Sequence, residues 1–272
     1  MMKEKIDWNL KFLKDIFGLK NLHFGYWLAG EELTLDNLKL AQQRYIDLLI
    51  LKIPQNVKKI LDVGCGTGEL AKQLVQQGYE VESLSPDVYQ YKIFKQNNSN
   101  LKFHLTKFED FKTQQKYDLV LMAESCQYIN LEEMFEKLAE VLSTNGYLLV
   151  SDYFRKKNIR YYKTTHVIEN FYSLAKKYKF KIVLEENITD NVLPTLTFAK
   201  NIYLKYVIPI IEILSGYLTD NYPLVVKFMT FLFYGFVKKL NYYIFFHTKN
   251  KLDENLFKKF VVYKIILLQK EV

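Results

Sequence analysis

The stretch ILDVGCGTGEL, residues 60–70, constrains this chain more than any other. A short apolar run ends in Asp62, glycines follow at alternate positions, and Glu69 opens a helix-forming segment. Gly64, Gly66 and Gly68 let the backbone turn sharply and approach a ligand where a Cβ would obstruct it. Strand, glycine turn and helix in that order form the ligand-holding unit of an open parallel sheet. Dinucleotide sites space their glycines G-x-G-x-x-G and rest a pyrophosphate on the helix N-terminus. Here the spacing is G-x-G-x-G, and the third position after Gly66 is Glu69. That charge suits the helix dipole but repels a pyrophosphate. A ligand with an ammonium end and no phosphate fits Asp62 better.

The rest of the chain alternates strand and helix patterns. KKILDVG (58–64), YEVESLS (79–85), LKFHLT (101–106), YDLVLMA (117–123), GYLLVSDYF (146–154), FKIVLEENIT (180–189) and FVVYKIILLQK (260–270) read as strands. ELAKQLVQQG with Gly78 at its end, PDVYQYKIFKQN with Pro86 in its first turn, LEEMFEKLAEVL and HVIENFYSLAKKY read as helices. Strands interleaved with helices predict an α/β fold with a doubly wound, seven-stranded, mostly parallel sheet. Ligands of such sheets sit beyond the carboxyl ends of the strands, near the switch in strand order. Residues 1–57 read as an N-terminal helical lid around NLHFGYW. Residues 58–188 and 259–272 form the sheet core, and 189–258 form a helical insertion before the last strand.

At these residues the chain resembles the class I S-adenosylmethionine-dependent methyltransferases, nearest the sterol and cyclopropane-type group acting on small molecules and lipids. The resemblance covers about residues 20–188 and the last strand. It implies a Rossmann-like fold and S-adenosylmethionine held by Asp62, Gly64, Cys65, Gly66 and Gly68. HFGYW (His23–Trp27) is similar to an entrance segment that folds over the cofactor. That puts Tyr26 at the cofactor's methionine end and Trp27 beside the acceptor. VESLSPDVYQ (Val81–Gln90) is similar to the second-strand region of the group. Its usual ribose-gripping acid is replaced by Ser85, so Asp87 or Gln90 is implied to share that role. KFEDF places Phe108 and Glu109 at the adenine. AESCQYI is similar to an ESxEHI segment, with Glu124 implied at the methionine end and Ser125, Gln127 and Tyr128 at the acceptor.

Gln127-Tyr128 stands where relatives carry Glu-His, and in several of them that histidine assists deprotonation. Gln127 cannot be a base, and Tyr128, titrating near pH 10 unperturbed, suits a hydrogen-bond donor or a pocket wall. Either the base lies elsewhere or the acceptor is already nucleophilic. His23 is the candidate base. His104, within a strand, reads as structural, His166 as a surface or capping residue, and His247 as a possible pocket wall. The implied reaction is methyl transfer to a small, apolar organic acceptor, with S-adenosylhomocysteine as product and no metal; O-, N- and C-methylation stay open. Insertions at 1–57 and 189–258 are expected to cap the acceptor.

The formal net charge of +8 keeps a nucleic-acid methyltransferase in view. Against it, the fourth strand ends in AESCQY and no RNA-binding module is appended, so nucleic acid is not the expected partner. A non-catalytic cofactor-binding scaffold is the other alternative. Two cysteines, Cys65 and Cys126, imply neither a disulfide framework nor a zinc site. The first residues lack the apolar run of a signal peptide, so a cytoplasmic protein is expected. FMTFLFYGFVKKLNYYIFFH (Phe228–His247) is broken by Lys238-Lys239, and YVIPIIEIL (Tyr206–Leu214) is short and carries Pro209 and Glu212. Neither is expected to span a bilayer. Lys200, Lys205, Lys227, Lys238 and Lys239 beside these runs suit peripheral contact with an anionic membrane.

Overall fold

The computed structural model describes residues 8–159 and 162–271. Residues 1–7 of the expected lid lie outside the described residues, as does the side chain of His247. Helices α1 (Trp8–Phe17) and α2 (Leu35–Leu51) precede the sheet, with HFGYW between them. Strands β1 (Lys59–Val63), β2 (Glu80–Leu84), β3 (Lys102–His104), β4 (Tyr117–Ala123), β5 (Leu142–Arg155), β6 (Phe180–Asn187) and β7 (Val261–Lys270) form one sheet in the order 3-2-1-4-5-7-6. β7 runs antiparallel to both β5 and β6, and the other pairings are parallel. The strand order reverses between β1 and β4, so the crevice of a doubly wound sheet lies at their carboxyl ends.

Helices α3 (Glu69–Gln76), α4 (Val88–Asn97), α5 (Leu131–Val141) and α6 (Ile168–Lys177) cover the sheet. Their starts follow local chemistry. Asp87 accepts the Gln90 backbone N–H, and Asn130 accepts those of Glu132 and Glu133, satisfying donors that a helix start leaves open. β1 and β4 are buried on both faces, which is why they read as continuous apolar runs. His104 is structural as expected: it pairs at 2.7 Å with the buried Glu82, which also accepts Lys102 and Tyr117.

Two elements differ from the sequence reading. β5 begins at Leu142, because the expected turn at Gly146 is absorbed as an irregularity in the strand, with Asn145 at φ 60°. The apolar run at 206–214 is not short. It belongs to one continuous helix, Thr189–Asn221, built from α7 (Thr189–Ile202), a π-helical segment (Tyr203–Val207) and α8 (Ile208–Asn221). Pro209 sits in the first turn of α8, immediately after the wide turn, where its missing N–H costs little. By length and composition this helix could cross a membrane. α9 (Pro223–Leu232), α10 (Tyr234–Asn241), a second π-helical segment (Tyr242–His247), α11 (Thr248–Lys251) and α12 (Glu254–Phe260) lead back to β7.

Candidate active site

A cavity of about 570 Å³ opens at the carboxyl ends of β1, β2 and β4. The glycine turn forms its floor. Gly64 and Gly66 have φ of 78° and 53°, which a side chain would resist. A Cβ at Gly64 would collide with Ser125, whose Oγ donates to the Val63 carbonyl at 2.5 Å. A Cβ at Gly66 would meet no protein atom within 4 Å; the turn keeps that space open. Gly68 instead faces Phe94 and Asn98, so its missing side chain serves packing.

Asp62 lines the cavity at the end of β1, and its Oδ2 is buried with no hydrogen-bond partner. Burial alone raises its pKa to about 7. An unpartnered buried carboxylate oxygen is costly unless a cationic ligand meets it. At the β2 end, Ser85 donates to Gln90 Oε1 at 3.0 Å and accepts the Asp87 N–H; all three line the cavity. Phe108 and Glu109 form another wall.

Glu124 follows β4 with φ 57°, a strained left-handed conformation for a residue with a side chain. Its Oε1 accepts the Phe24 N–H and the Tyr263 hydroxyl, each at 2.7 Å. The Tyr263 hydroxyl lies 3.1 Å from that of Tyr45, which donates to Ser151 Oγ at 2.7 Å. Burial raises the Glu124 pKa to about 8. Asp152 is buried nearby on β5 and accepts the Gln127 N–H at 3.0 Å; burial takes it to about 7.

The entrance segment is clamped from both sides. Gln42 donates to the Asn21 and His23 carbonyls, and Thr67 donates to the Lys20 carbonyl at 2.6 Å. Gly25 is required by close approach: a Cβ there would lie 2.6 Å from that of Ala41 on α2. Lys20, Asn21, Leu22 and His23 thereby line the cavity. His23 stacks on Tyr45 with centroids 4.5 Å apart, and Nδ1 lies 2.7 Å from the Phe24 carbonyl. With the proton on Nδ1, buried Nε2 is left as an acceptor without a partner. Burial lowers the His23 pKa to about 4, so the ring is neutral at physiological pH.

Of the site residues expected from sequence, Asp62, Gly64, Cys65, Gly66, Ser85, Asp87, Gln90, Phe108, Glu109, Glu124, Ser125, His23 and Tyr128 converge on this cavity. Tyr26, Trp27, Gly68 and Gln127 do not line it. Trp27 is turned into the core, where its Nε1–H donates to Thr195 Oγ1 at 2.9 Å. Tyr26 packs against the core beside α2, with its N–H on the Ala41 carbonyl. Gln127 is buried beneath the turn, its N–H tied to Asp152. Tyr128 is largely exposed. Sequence reading missed Thr67, Leu10, Leu22 and the Tyr45–Tyr263 pair. No local motif marks either tyrosine, because their pairing joins α2 to the last strand.

Among the described residues, none from 189–258 lines the cavity. The start of α7 has a different place: Asn191 exchanges hydrogen bonds with the Trp27 backbone, and Thr195 accepts from Gly25 and Trp27. Among the described residues no cluster of His, Cys, Asp or Glu is arranged to hold a metal ion.

A family model described as a methyltransferase domain matches residues 38–179. A ubiquinone biosynthesis O-methyltransferase of Rickettsia prowazekii is 27% identical over 69% of this chain and 83% of its own length. A malonyl-[acyl-carrier protein] O-methyltransferase of Acetivibrio thermocellus is 34% identical, but the match spans only 35% of each protein. The solved geranyl diphosphate C-methyltransferase of Streptomyces coelicolor superposes with a TM-score of 0.68 over 98% of this chain and 94% of its own, at 12% identity. That likeness shows the fold.

Proposed function

We infer the acceptor class from one premise: the chain belongs to the methyltransferase domain family and is a class I S-adenosylmethionine-dependent methyltransferase. On that premise the cavity holds the cofactor along the ends of β1, β2 and β4 and admits a small, apolar organic acceptor beside it. The observation that carries this reading is the orphaned Oδ2 of Asp62 beside an open glycine turn. A cationic, phosphate-free ligand satisfies that oxygen; a dinucleotide would set a pyrophosphate against it.

When bound, S-adenosylmethionine supplies an electrophilic methyl group on sulfur. The chain's residues then have separable tasks. Asp62 pairs with the ammonium, Ser85, Asp87 and Gln90 share the ribose hydroxyls, and Phe108 and Glu109 flank the adenine. Glu124, pinned by Phe24 and Tyr263, fixes the floor between cofactor and acceptor. The acceptor would form its bond to the methyl carbon as the carbon–sulfur bond breaks, leaving a neutral thioether. Alignment and exclusion of water do most of the work, about 7–11 kcal/mol at best. A proton lost by the acceptor passes to Nε2 of His23, and Tyr128 walls the mouth.

Leu10, Leu22 and Ile129 in the lining, and the relative named for ubiquinone biosynthesis, support an apolar, quinone-like or phenolic acceptor. Such an acceptor suits a cytoplasmic enzyme working at a membrane surface. The relative named for a malonyl-acyl carrier supports a second reading, in which the acceptor is an ionised carboxylate that needs no base. The test is turnover of methyl-labelled S-adenosylmethionine against phenols and carboxylates with and without an alkyl chain. The alkylated phenol should be methylated fastest. Faster turnover of the unalkylated, polar members would overturn the apolar assignment.

A further inference from the structure

Residues 203–251 form an arm in which no described side chain is buried. The outward leg continues α7 into α8, and α9 and α10 follow and lead back to the base. The legs are joined at the base, where the Tyr203 hydroxyl bonds the Ile244 carbonyl. Ile210, Ile213, Leu214, Leu224, Phe228, Phe231, Leu232, Phe233 and Phe236 are all exposed, Leu224 and Phe231 by more than four-fifths. No described residue of the arm lines the cavity, so covering the cavity does not explain its composition.

We propose that this arm embeds in one leaflet of an anionic lipid bilayer. Three observations select lipid over a protein partner. The exposed apolar residues of α8 lie on one face at helical spacing (Ile210, Ile213, Leu214, Tyr217, Leu218), and on α9 Leu224, Val225, Phe228, Met229, Phe231 and Leu232 cover about half of the helix surface. So broad an exposed apolar surface on two successive helices, with Lys227 outside it on α9, suits helices lying in a membrane interface. The charges are one-sided: from Asn221 to Leu252 the chain carries five lysines and no acid. Exposed Lys227 and Lys238 bracket the uncharged run Phe228–Val237, so both can reach headgroups while the phenylalanines enter the acyl region. Exposed tyrosines accompany the apolar residues along the arm, Tyr206 beside Lys205 and Tyr242 and Tyr243 near the base, Tyr217, Tyr222 and Tyr234 farther out, and tyrosine is enriched at membrane interfaces. The acids of the outward leg, Glu212 and Asp220, are both on α8, so α9 and its continuation into α10 form the inserted wedge. Lys238-Lys239 stops that wedge about ten residues after Lys227, half the length that a crossing needs. The wedge therefore enters one leaflet without traversing; the outward leg is long enough to cross, but Lys205 and Glu212 interrupt its apolar stretch and favour the same interfacial placement. Its consequence for catalysis, delivery of the acceptor from the bilayer, rests on the apolar-acceptor reading above.

The test uses the full chain and vesicles of phosphatidylcholine, with or without phosphatidylglycerol, in a sedimentation assay. The protein should bind the anionic vesicles about tenfold more than the neutral ones, less so at high salt. The Phe231→Glu/Phe236→Glu and Lys238→Glu/Lys239→Glu variants should each lose about tenfold. Phe231→Trp should shift its emission to the blue with anionic vesicles and be quenched by brominated acyl chains. Protein that stays in the supernatant with both vesicles overturns the proposal. So does a stable dimer in light scattering that Phe231→Glu abolishes while vesicles go unbound. S-adenosylmethionine titration of the same preparations keeps the two readings apart. Cofactor binding without vesicle binding removes the arm's role alone, and vesicle binding without cofactor binding removes the enzyme reading alone.

Discussion

Asp62 is the residue on which the proposed cofactor site turns. Its pKa of about 7 reflects burial without a partner, so an ammonium arriving beside it pulls the proton off. Titration with S-adenosylmethionine near pH 7, in buffers of different ionisation enthalpy, should show net proton release. Asp62→Asn should abolish that release and weaken binding roughly ten- to a hundredfold; unaltered release would remove Asp62 from the site. Gly66→Val should abolish binding, because its side chain would fill the space that the turn holds open. His23 makes a different prediction. Its neutral ring needs no deprotonation above about pH 5, so turnover should not rise with pH there on its account. His23→Ala should lower kcat by about 10²–10⁴ with cofactor affinity unchanged; unchanged kcat would show an acceptor that needs no base. Glu124 bears on stability. It keeps its proton in the folded chain up to about pH 8, against an ordinary value of 4.5. Its favourable contribution is complete below about pH 4 and is lost as pH rises through 8. Thermal melts at about pH 5 and about pH 9 should therefore show Glu124→Gln gaining on the parent at the higher pH. An equal difference at both would contradict the buried-acid assignment.

At the scale of elements, the entrance segment shows how sequence spacing becomes geometry. HFGYW has its glycine where α2 passes closest, and Gly25→Ala forces the segment off Ala41. Overpacking of this kind costs about 1–3 kcal/mol. Chemical denaturation should show that loss together with weaker cofactor binding, since His23 and Leu22 ride on the same segment. The α/β alternation and the glycine turn were legible because buried parallel strands are continuous apolar runs and the turn needs positive φ. Asp62, Ser85 and Glu124 were legible because they end such strands. Trp27 and Tyr26 were not, because a segment seven residues from its helix can present either face, and Thr195, far away in sequence, chose for Trp27. The long helix was missed for a related reason: Pro209 reads as a breaker unless a π-helical turn precedes it.

For the whole molecule, the sheet and the arm divide the work. One insertion of about 70 residues begins as a clamp on the entrance segment, through Asn191 and Thr195, and continues as an exposed apolar arm. The two parts should separate experimentally. Variants of Phe231 and Phe236 should leave cofactor affinity intact while slowing turnover of an acceptor dissolved in anionic vesicles. Equal slowing on a detergent-dispersed acceptor would place the effect in the fold instead. The central claim, methyl transfer to an apolar small molecule, is tested most directly by one incubation. The protein is mixed with methyl-labelled S-adenosylmethionine and a membrane extract of its source cells, and the products are partitioned between organic solvent and water. The account predicts label in the organic phase, absent when Asp62→Asn replaces the parent. Label confined to water-soluble metabolites or to nucleic acid would contradict it.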